Sequence, residues 1–329
     1  MKVYRSLQEL PQARAAIVTI GNFDGVHRGH QSVIADVRTR AAAIGARDLL
    51  VTFHPHPMEV LAPERDLRLI TPLDHKLLLL EQTGIGEVLV LPFTREFSQW
   101  SALEFAERVL RDAVGAVEVH EGETFRFGCE AQADIHDLAM LGRQLGFSVR
   151  ALEPTLIRGL PVSSTRVRQE LIAGRIGVAR ALMGRAFSIL STPARGRGFG
   201  TRYAVPTINL AAYDGLMPAH GVYVTSLRIG SQPGGTRRFN GVTNVGNRPT
   251  FGADSFAVES HLFDFEPIDL HEDTPLELVF LKRLREERRF ASPEELRAQI
   301  GNDIAQAQRF LATATSLLAY EREVSSEAS

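Results

Sequence analysis

Two histidines stand three residues apart in a glycine-rich segment near the start of the chain. Residues 21–30 read Gly-Asn-Phe-Asp-Gly-Val-His-Arg-Gly-His, after the β-rich run Ala16 to Ile20 and before a stretch with helical spacing. His27 and His30 therefore share one face of a helical turn. A helix N-terminus offers N–H groups and partial positive charge to a phosphate. Two imidazoles kept protonated there would stabilise the charge that builds on an α-phosphate under attack.

A bare pair of this kind is weak evidence, because such histidines more often cap a helix or lie on the surface. A second polar group has the same ambiguity. Ser163, Ser164 and Thr165 stand where another helix is predicted to begin, with Arg168 one turn later. They could supply an N-cap, or their hydroxyl and N–H groups could bind a pyrophosphate.

The second half of the chain contains candidate metal ligands. Thr207 and Asn209 are two residues apart on a predicted strand, so their side chains point the same way and offer hard oxygen ligands for Mg²⁺. A glycine-rich stretch at residues 196–200 precedes them, and it is either a phosphate loop or a flexible linker. Glu259 lies on another predicted strand, where it is either a general base or an exposed glutamate.

The elements that must position these residues change in type along the chain. The first half alternates strands with helices, which predicts a parallel α/β sheet with ligands at the carboxyl ends of the strands. The second half has strands separated by turns, which predicts an antiparallel sheet or small barrel. A last helix is expected from Ser292, as N-cap, to about Tyr320, with a possible break at Gly301. The expected domains are residues 1–186 and 187–329.

Composition excludes several classes of protein. The chain has 329 residues and a net charge of −2, which makes bulk binding to nucleic acid or an anionic membrane a poor expectation. Its one cysteine permits no internal disulfide, so we expect a reducing, cytoplasmic compartment. No run of 18 apolar residues predicts a membrane span. A Walker A loop is excluded because the sequence has no Gly-Lys-Ser/Thr.

Taken together, the motifs resemble those of a known family. Residues 21–30 resemble the HxGH signature of nucleotidyltransferases, in the form found in prokaryotic bifunctional riboflavin kinase/FAD synthetases. Thr-Phe-His-Pro-His-Pro at 52–57, Phe-Arg-Phe-Gly at 125–128 and Ser-Ser-Thr-x-x-Arg at 163–168 are similar to motifs of the same module. Pro-Thr-Ile-Asn at 206–209, the strand around Glu259, the loop at 244–251 and Arg285 are similar to riboflavin kinase motifs.

The resemblance implies a Rossmann-like nucleotidyltransferase domain, followed by a small antiparallel β-barrel domain with a C-terminal helix. It implies a transferase that phosphorylates riboflavin to FMN and adenylylates FMN to FAD, with ATP as co-substrate, Mg²⁺ as cofactor and pyrophosphate released. Catalysis falls to His27, His30 and Glu259, and metal binding to Thr207 and Asn209. The implied nucleotide-binding residues are Gly21, Phe23, Asp24, Ser164, Thr165, Arg168, Gly196, Gly198 and Gly200, and the flavin-binding residues are His56, Pro57, Phe125, Phe127, Asn244 and Arg285.

The sequence departs from the family pattern in three places. Ala204 and Val205 stand where Gly and Phe are common, and Thr124 stands where an acidic or amide residue is frequent. Two alternatives therefore stay open beside the double activity. One is an FAD synthetase with an impaired kinase module, and the other is a flavin-binding protein without turnover.

Overall fold

The computed structural model describes residues 1–11, 14–194, 207–230, 237–247, 256–266, 268 and 270–327. It divides into two compact units. The first comprises Met1–Val167 and Leu182–Gly184, and the second comprises Arg168–Ala181 and Arg185–Ser329.

Parallel strands and helices build the first unit. Its strands are β1 (Lys2–Tyr4), β2 (Ala16–Ile20), β3 (Arg47–His54), β4 (Glu87–Pro92), β5 (Ala116–Gly122), β6 (Arg126–Phe127), β7 (Ala133–Asp134), β8 (Ser148–Leu152), β9 (Leu156–Ile157) and β10 (Leu160–Pro161). Its helices are α1 (Arg28–Ile44), α2 (Pro57–Leu61), α3 (Leu73–Gln82), α4 (Ala102–Phe105, continued by the π-helical Ala106–Val114) and α5 (Ile135–Leu145). The helices α6 (Ser164–Ile172) and α7 (Ile176–Met183) contribute residues to both units.

Six of these strands form one sheet in the order β1-β4-β3-β2-β5-β8, and every neighbouring pair is parallel. After β2, the chain adds β3 and β4 on one side of it, where β1 forms the edge. It then adds β5 and β8 on the other side. The gap between β2 and β5 is therefore the topological switch point, where open parallel sheets bind their ligands. This arrangement confirms the α/β architecture predicted from the alternating elements.

Strand β2 is buried along its whole length because both of its faces are covered. Val18 belongs to a core cluster with residues of α4 and α5. Ile17 points to the opposite face, where it joins Ile34 and Val37 of α1. The spacing of those α1 residues places one apolar stripe against the sheet, and Gly45 ends the helix in the left-handed region at φ 66°.

Antiparallel strands and one long helix dominate the second unit. Its elements are β11 (Phe187–Ser191), β12 (Thr207–Leu210), β13 (Gly221–Ile229), β14 (Arg237–Asn247), β15 (Phe256–Leu262), β16 (Leu276–Arg285) and α8 (Pro293–Glu327). The sheet order is β11-β16-β13-β14-β15-β12. Pro193, just after β11, bridges to Leu210 on β12, so the two edges of the sheet approach each other as in a barrel. The predicted antiparallel, barrel-like second half is confirmed.

The last helix begins as predicted and extends further than expected. Ser292 accepts a hydrogen bond of 3.2 Å from the N–H of Glu295, which satisfies an N-terminal donor of the helix. The helix passes through Gly301 without a break and reaches Glu327. A single glycine costs a helix only about 1 kcal/mol, so the helix tolerates Gly301. It also continues past the expected end near Tyr320.

Candidate active sites

The segment 21–30 leaves the carboxyl end of β2 and places both histidines at the start of α1. His27 is the N-cap residue, and its Nδ1 accepts a hydrogen bond of 3.3 Å from the N–H of His30. The two rings stack with centroids 3.6 Å apart and planes inclined by 13°. The ring of Phe23 lies 4.9 Å from that of His30. The predicted pair therefore forms one unit at a helix N-terminus, and His27 is also the helix cap that the alternative interpretation expected.

The turn before the histidines needs an unusual backbone. Phe23 and Val26 have positive φ angles of 49° and 37°, and Gly25 has a φ of 81°. A Cβ atom on Gly25 would lie 3.1 Å from the side chain of Ile70, which leaves little room for a larger residue. Positive φ at a residue other than glycine is costly, so surrounding contacts must hold this turn in place.

Asp24 supplies those contacts. Its buried carboxylate accepts hydrogen bonds from the N–H groups of Ile70 and Thr71, at 3.1 and 3.0 Å. The Thr71 hydroxyl accepts in turn from the N–H of Gly25 at 2.9 Å. In the structure, the carboxylate of this predicted nucleotide-binding residue thus ties its own turn to the segment before α3.

Ser164 links the start of α6 to the same turn. Its hydroxyl donates to the backbone carbonyl of Asp24 at 2.9 Å. The neighbouring Ser163 accepts from the N–H of Arg166 at 3.2 Å and so acts as the helix cap. Two of the predicted phosphate-binding segments therefore meet within the first unit. Thr165 is exposed beside them, and Arg168, four residues after Ser164 on the helix, belongs to the second unit.

The predicted flavin-binding residues of the first unit lie on two elements. His56 caps α2, where its Nδ1 accepts from the N–H of Met58 at 3.1 Å, and Pro57 is the first helical residue. Phe125 and Phe127 stack with ring centroids 5.4 Å apart and planes inclined by 17°. Phe127 is buried, whereas Phe125 is partly accessible. Phe125 can therefore pack against Phe127 and still contact a ligand.

In the second unit, three predicted residues form one row across neighbouring strands. Asn209 on β12 is paired with Glu259 on β15, and Glu259 is paired with Asn244 on β14. Thr207 lies two residues from Asn209 and is paired with His261. Paired residues of a sheet project to the same side, and so do residues two apart on a strand. The candidate metal ligands, the candidate base and a candidate flavin contact therefore share one face.

Burial identifies that face as the outer one. Ile208 and Leu210 alternate with Thr207 and Asn209 and are buried, whereas Glu259 is exposed. On the inner side, the hydroxyls of Thr225, Thr243 and Ser260 form a buried chain with oxygens 2.7 and 2.8 Å apart. The inward-facing hydroxyl groups therefore form hydrogen bonds with one another, whereas the side chains of the outer row face outward.

The remaining predictions of the second unit have different outcomes. Gly196, Gly198 and Gly200, like the unusual Ala204 and Val205, lie outside the described residues. The guanidinium of Arg285, predicted to bind flavin, forms an ion pair with the buried carboxylate of Asp303 on α8, with Nη2 and Oδ2 2.9 Å apart. In the structure, Arg285 therefore connects β16 to the last helix.

Comparison with known proteins assigns both halves of the chain. A family model for FAD synthetase matches residues 9–166, and one for riboflavin kinase matches residues 183–311. The bifunctional riboflavin kinase/FMN adenylyltransferase of Pseudomonas fluorescens is 38% identical over 314 residues, covering 95% of this chain and 98% of that protein. The protein of the same description from Escherichia coli K12 is 33% identical, with 94% and 98% covered. The chain belongs to this bifunctional family.

As a bifunctional riboflavin kinase/FMN adenylyltransferase, it is a transferase whose substrates and products are riboflavin, FMN, FAD and ATP. A solved structure described as a macrolide-efflux protein from Streptococcus pneumoniae has a TM-score of 0.81 and 26% identity, with 92% of this chain and 96% of that chain covered. Within the described part of the chain, no helix is both long and apolar enough to cross a membrane.

Lys76 is a residue of the adenylyltransferase module to which the sequence patterns assigned no role. It lies on α3 and is only 6% exposed. Its Nζ donates to the carbonyl of Asn22 and the hydroxyl of Thr52, both at 3.1 Å. Burial lowers the pKa of Lys76 to about 8, although the carboxylates of Asp24 and Glu59 act in the opposite direction. Its signal in the sequence was a lysine directly before the apolar run Leu77–Leu80 of a predicted helix.

Glu121 is a second such residue, at the switch point of the sheet. The pairing of β2 with β5 ends at Val18 and Val119, although both strands continue. The Glu121 carboxyl group lies across the gap and accepts from the Thr19 hydroxyl at 3.0 Å and from the N–H of Ile20. Complete burial raises the pKa of Glu121 to about 8, with the two hydrogen bonds acting in the opposite direction. The carboxyl group thus replaces a missing ladder contact immediately before Gly21.

Proposed function

We propose that the two reactions of this family occur at two separate sets of side chains, one in residues 1–186 and the other in residues 187–329. The observation that carries the proposal is the separation of the two sets. His27 and His30 lie in the first compact unit, and Thr207, Asn209 and Glu259 lie in the second. Each module then needs only positioning and charge stabilisation, without a covalent intermediate.

In the proposed adenylyl transfer, an oxygen of the FMN phosphate attacks the α-phosphorus of ATP. The bond from that phosphorus to the β-phosphate oxygen breaks, and pyrophosphate leaves. Nδ1 of His27 accepts from a backbone N–H, which differs from the expectation that both rings are doubly protonated. A neutral His27 ring would carry its proton on Nε2 and donate from there to a phosphate oxygen. His30 stacks on this ring and would share the developing negative charge.

The other phosphates of ATP are assigned to the helix starts that meet at the turn. We assign the leaving pyrophosphate to Ser164, Thr165 and Arg168, at the start of α6, because helix N–H groups and a guanidinium suit that anion. The turn at Gly21, Phe23 and Asp24 would accommodate the nucleotide. The flavin ring would contact His56, Pro57, Phe125 and Phe127 through their apolar and aromatic surfaces.

In the proposed kinase reaction, the primary hydroxyl of the ribityl chain attacks the γ-phosphorus of ATP and ADP leaves. Glu259 accepts the hydroxyl proton, and its exposure on the outer face is compatible with access by a substrate. Asn244, next in the row, would contact the flavin. Arg285 would contact the flavin while keeping its ion pair with Asp303. The backbone of Gly196, Gly198 and Gly200 would bind ATP phosphates.

Thr207 and Asn209 fit a magnesium ion because hydroxyl and amide oxygens on one face of a strand are hard, neutral ligands. When bound, Mg²⁺ would neutralise charge on the ATP phosphates. In the described residues, no group of three or more His, Cys, Asp or Glu side chains forms an alternative site. We also propose a cytoplasmic location, since both reactions consume ATP and the chain has one cysteine.

The test is a product assay with the purified full-length protein, ATP and Mg²⁺, supplied with either riboflavin or FMN. Glu259→Gln should lower the rate of FMN formation by about 10²–10⁴-fold and leave the conversion of FMN to FAD intact. His30→Ala should lower FAD formation by about 10²–10³-fold and leave FMN formation intact. Glu266→Gln and His136→Ala are matched controls at exposed positions. Equal loss of both products in either variant would contradict separate sites.

A further inference from the structure

Within the part of the chain that the structure describes, the buried ammonium group of Lys76 has two hydrogen-bond acceptors. It donates to Asn22 and Thr52 only, within the described residues, although an ammonium carries three N–H groups. A buried cation whose hydrogen bonds are incomplete is costly, and a bound anion would complete them. Lys76 lines a small pocket together with Asn22, Asp24, His56 and Thr71.

The position of this pocket limits which anion it would take. One side belongs to the predicted nucleotide-binding turn, through Asn22 and Asp24, and the other belongs to the predicted flavin-binding loop, through His54 and His56. The phosphate of FMN is the group that must reach from the flavin to the α-phosphorus of ATP. A cation between the two segments therefore lies where that nucleophilic phosphate is needed.

We propose that Lys76 binds the phosphate of FMN during adenylyl transfer, donating its third N–H to a phosphate oxygen. The inference rests on the proposed function of the N-terminal module. Lys76 would then distinguish FMN from riboflavin. Riboflavin lacks the phosphate, so it would offer no anion to the ammonium group of Lys76 in this module.

The charges around Lys76 predict how this binding depends on pH. Asp24 faces it from the turn, Glu59 from α2, His56 from the start of α2 and His54 from the end of β3, while His75 precedes it on α3. With a pKa of about 8, Lys76 loses its charge in the free enzyme above that pH. The FMN phosphate is already a dianion there, since phosphate monoesters have a second pKa near 6. Affinity for FMN should therefore decrease as the pH rises through about 8.

The experiment measures the KM for FMN and the KM for ATP in FAD formation, using the full-length enzyme between pH 6.5 and 9.5. Lys76→Met should raise the KM for FMN about 10- to 100-fold and leave the KM for ATP within about twofold. It should also abolish the decrease in kcat/KM for FMN above pH 8. Lys76→Arg should restore part of the affinity and move that decrease beyond pH 10, because arginine keeps its charge. Lys2→Met, at an exposed position on β1, should change nothing.

The variant Thr52→Val distinguishes phosphate binding by Lys76 from a structural role of Lys76 in holding the turn at Asn22. It removes one acceptor of Lys76 but leaves the charge, so a purely structural lysine would give the same losses in Thr52→Val and Lys76→Met. Equal losses, an unchanged KM for FMN in Lys76→Met, or an increase confined to the KM for ATP would overturn the inference. If Lys76→Met does not fold, a wild-type affinity for FMN that is constant across pH 8 overturns it as well. Absence of FAD from the wild type would refute the proposed function itself.

Discussion

Asn209 and Glu259 lie directly opposite each other in the antiparallel pair of β12 and β15. Opposite residues in such a pair have Cβ atoms about 4.5–5.5 Å apart, close enough for their side chains to act on one ligand. The candidate base and a candidate metal ligand are therefore neighbours by virtue of strand pairing. Neither position depends on a loop, so substitutions there should change chemistry more than structure.

Asn209→Asp should alter the pH dependence of the kinase. The new carboxylate would lie opposite Glu259, and a like charge at that distance raises the pKa of one of the two groups. FMN formation should then begin to decline at a higher pH on the acidic side of its profile than in the wild type. The measurement is the initial rate of FMN formation from pH 5 to 9. An unchanged profile, with FAD formation as internal control, would argue against a shared site.

Glu121→Gln should stabilise the protein at alkaline pH. Folding raises the pKa of Glu121 from 4.5 to about 8, so its contribution to stability is complete below pH 4.5 and is lost as the pH rises through 8. Glutamine keeps an oxygen to accept from Thr19 and Ile20 but does not ionise. The melting temperature of the variant, relative to that of the wild type, should rise between about pH 4.5 and 8 and stay constant at higher pH.

The exposed Glu123 provides the matched control for this measurement. Glu123→Gln should follow the wild-type melting curve at every pH, because an exposed carboxyl group gains nothing from neutralisation. A Glu121→Gln protein with the wild-type pH dependence would mean that Glu121 ionises without cost in the folded state.

Ser163 and Ser164 are adjacent and should respond differently to removal of the hydroxyl. Ser163→Ala removes a helix cap and should lower the free energy of unfolding by about 1 kcal/mol, with little effect on the KM for ATP. Ser164→Ala removes the bond to the Asp24 carbonyl, worth about 0.5–1.5 kcal/mol, and should also raise the KM for ATP in FAD formation. Denaturant unfolding and steady-state kinetics test both. Identical kinetic effects would remove the case for Ser164 as a phosphate ligand.

Asp303→Ala should destabilise the second unit by about 2–3 kcal/mol. Removing one partner of a fully buried ion pair costs about 3–5 kcal/mol, and Arg285 retains 21% exposure, which lowers that cost. A double-mutant cycle with Arg285→Ala should give a coupling energy of at least about 1 kcal/mol in denaturant unfolding. A coupling near zero would show that the pair contributes nothing to holding α8.

Much of this fold follows from local patterns in the sequence. The strand β2 has the bounds of the β-rich run Ala16 to Ile20, and the last helix begins at its predicted cap, since both signals lie in adjacent residues. The histidine pair was predictable because a strand, a glycine turn and a helix follow one another directly. These features depend on neighbours along the chain.

Features that depend on distant residues could not be predicted in this way. The short edge strand β1 exists through pairing with β4, more than 80 residues later. Asp24 is directed by Ile70 and Thr71, and Arg285 by Asp303. The burial of Lys76 and Glu121 likewise arises from tertiary packing, and local sequence alone predicts exposure for both residue types. The candidate adenylyltransferase site is thus less visible in the sequence than its signature motif suggests.

The row that joins Asn209, Glu259 and Asn244 also bears on how the second unit folds. If β12 slipped by one residue against β15, Asn209 and Thr207 would turn inward and Ile208 and Leu210 would turn towards water. Burial of the same apolar residues therefore selects the strand register that places Thr207 and Asn209 on the outer face. A chain that closes this sheet in its most stable alignment has, by the same event, brought the candidate kinase residues into one row.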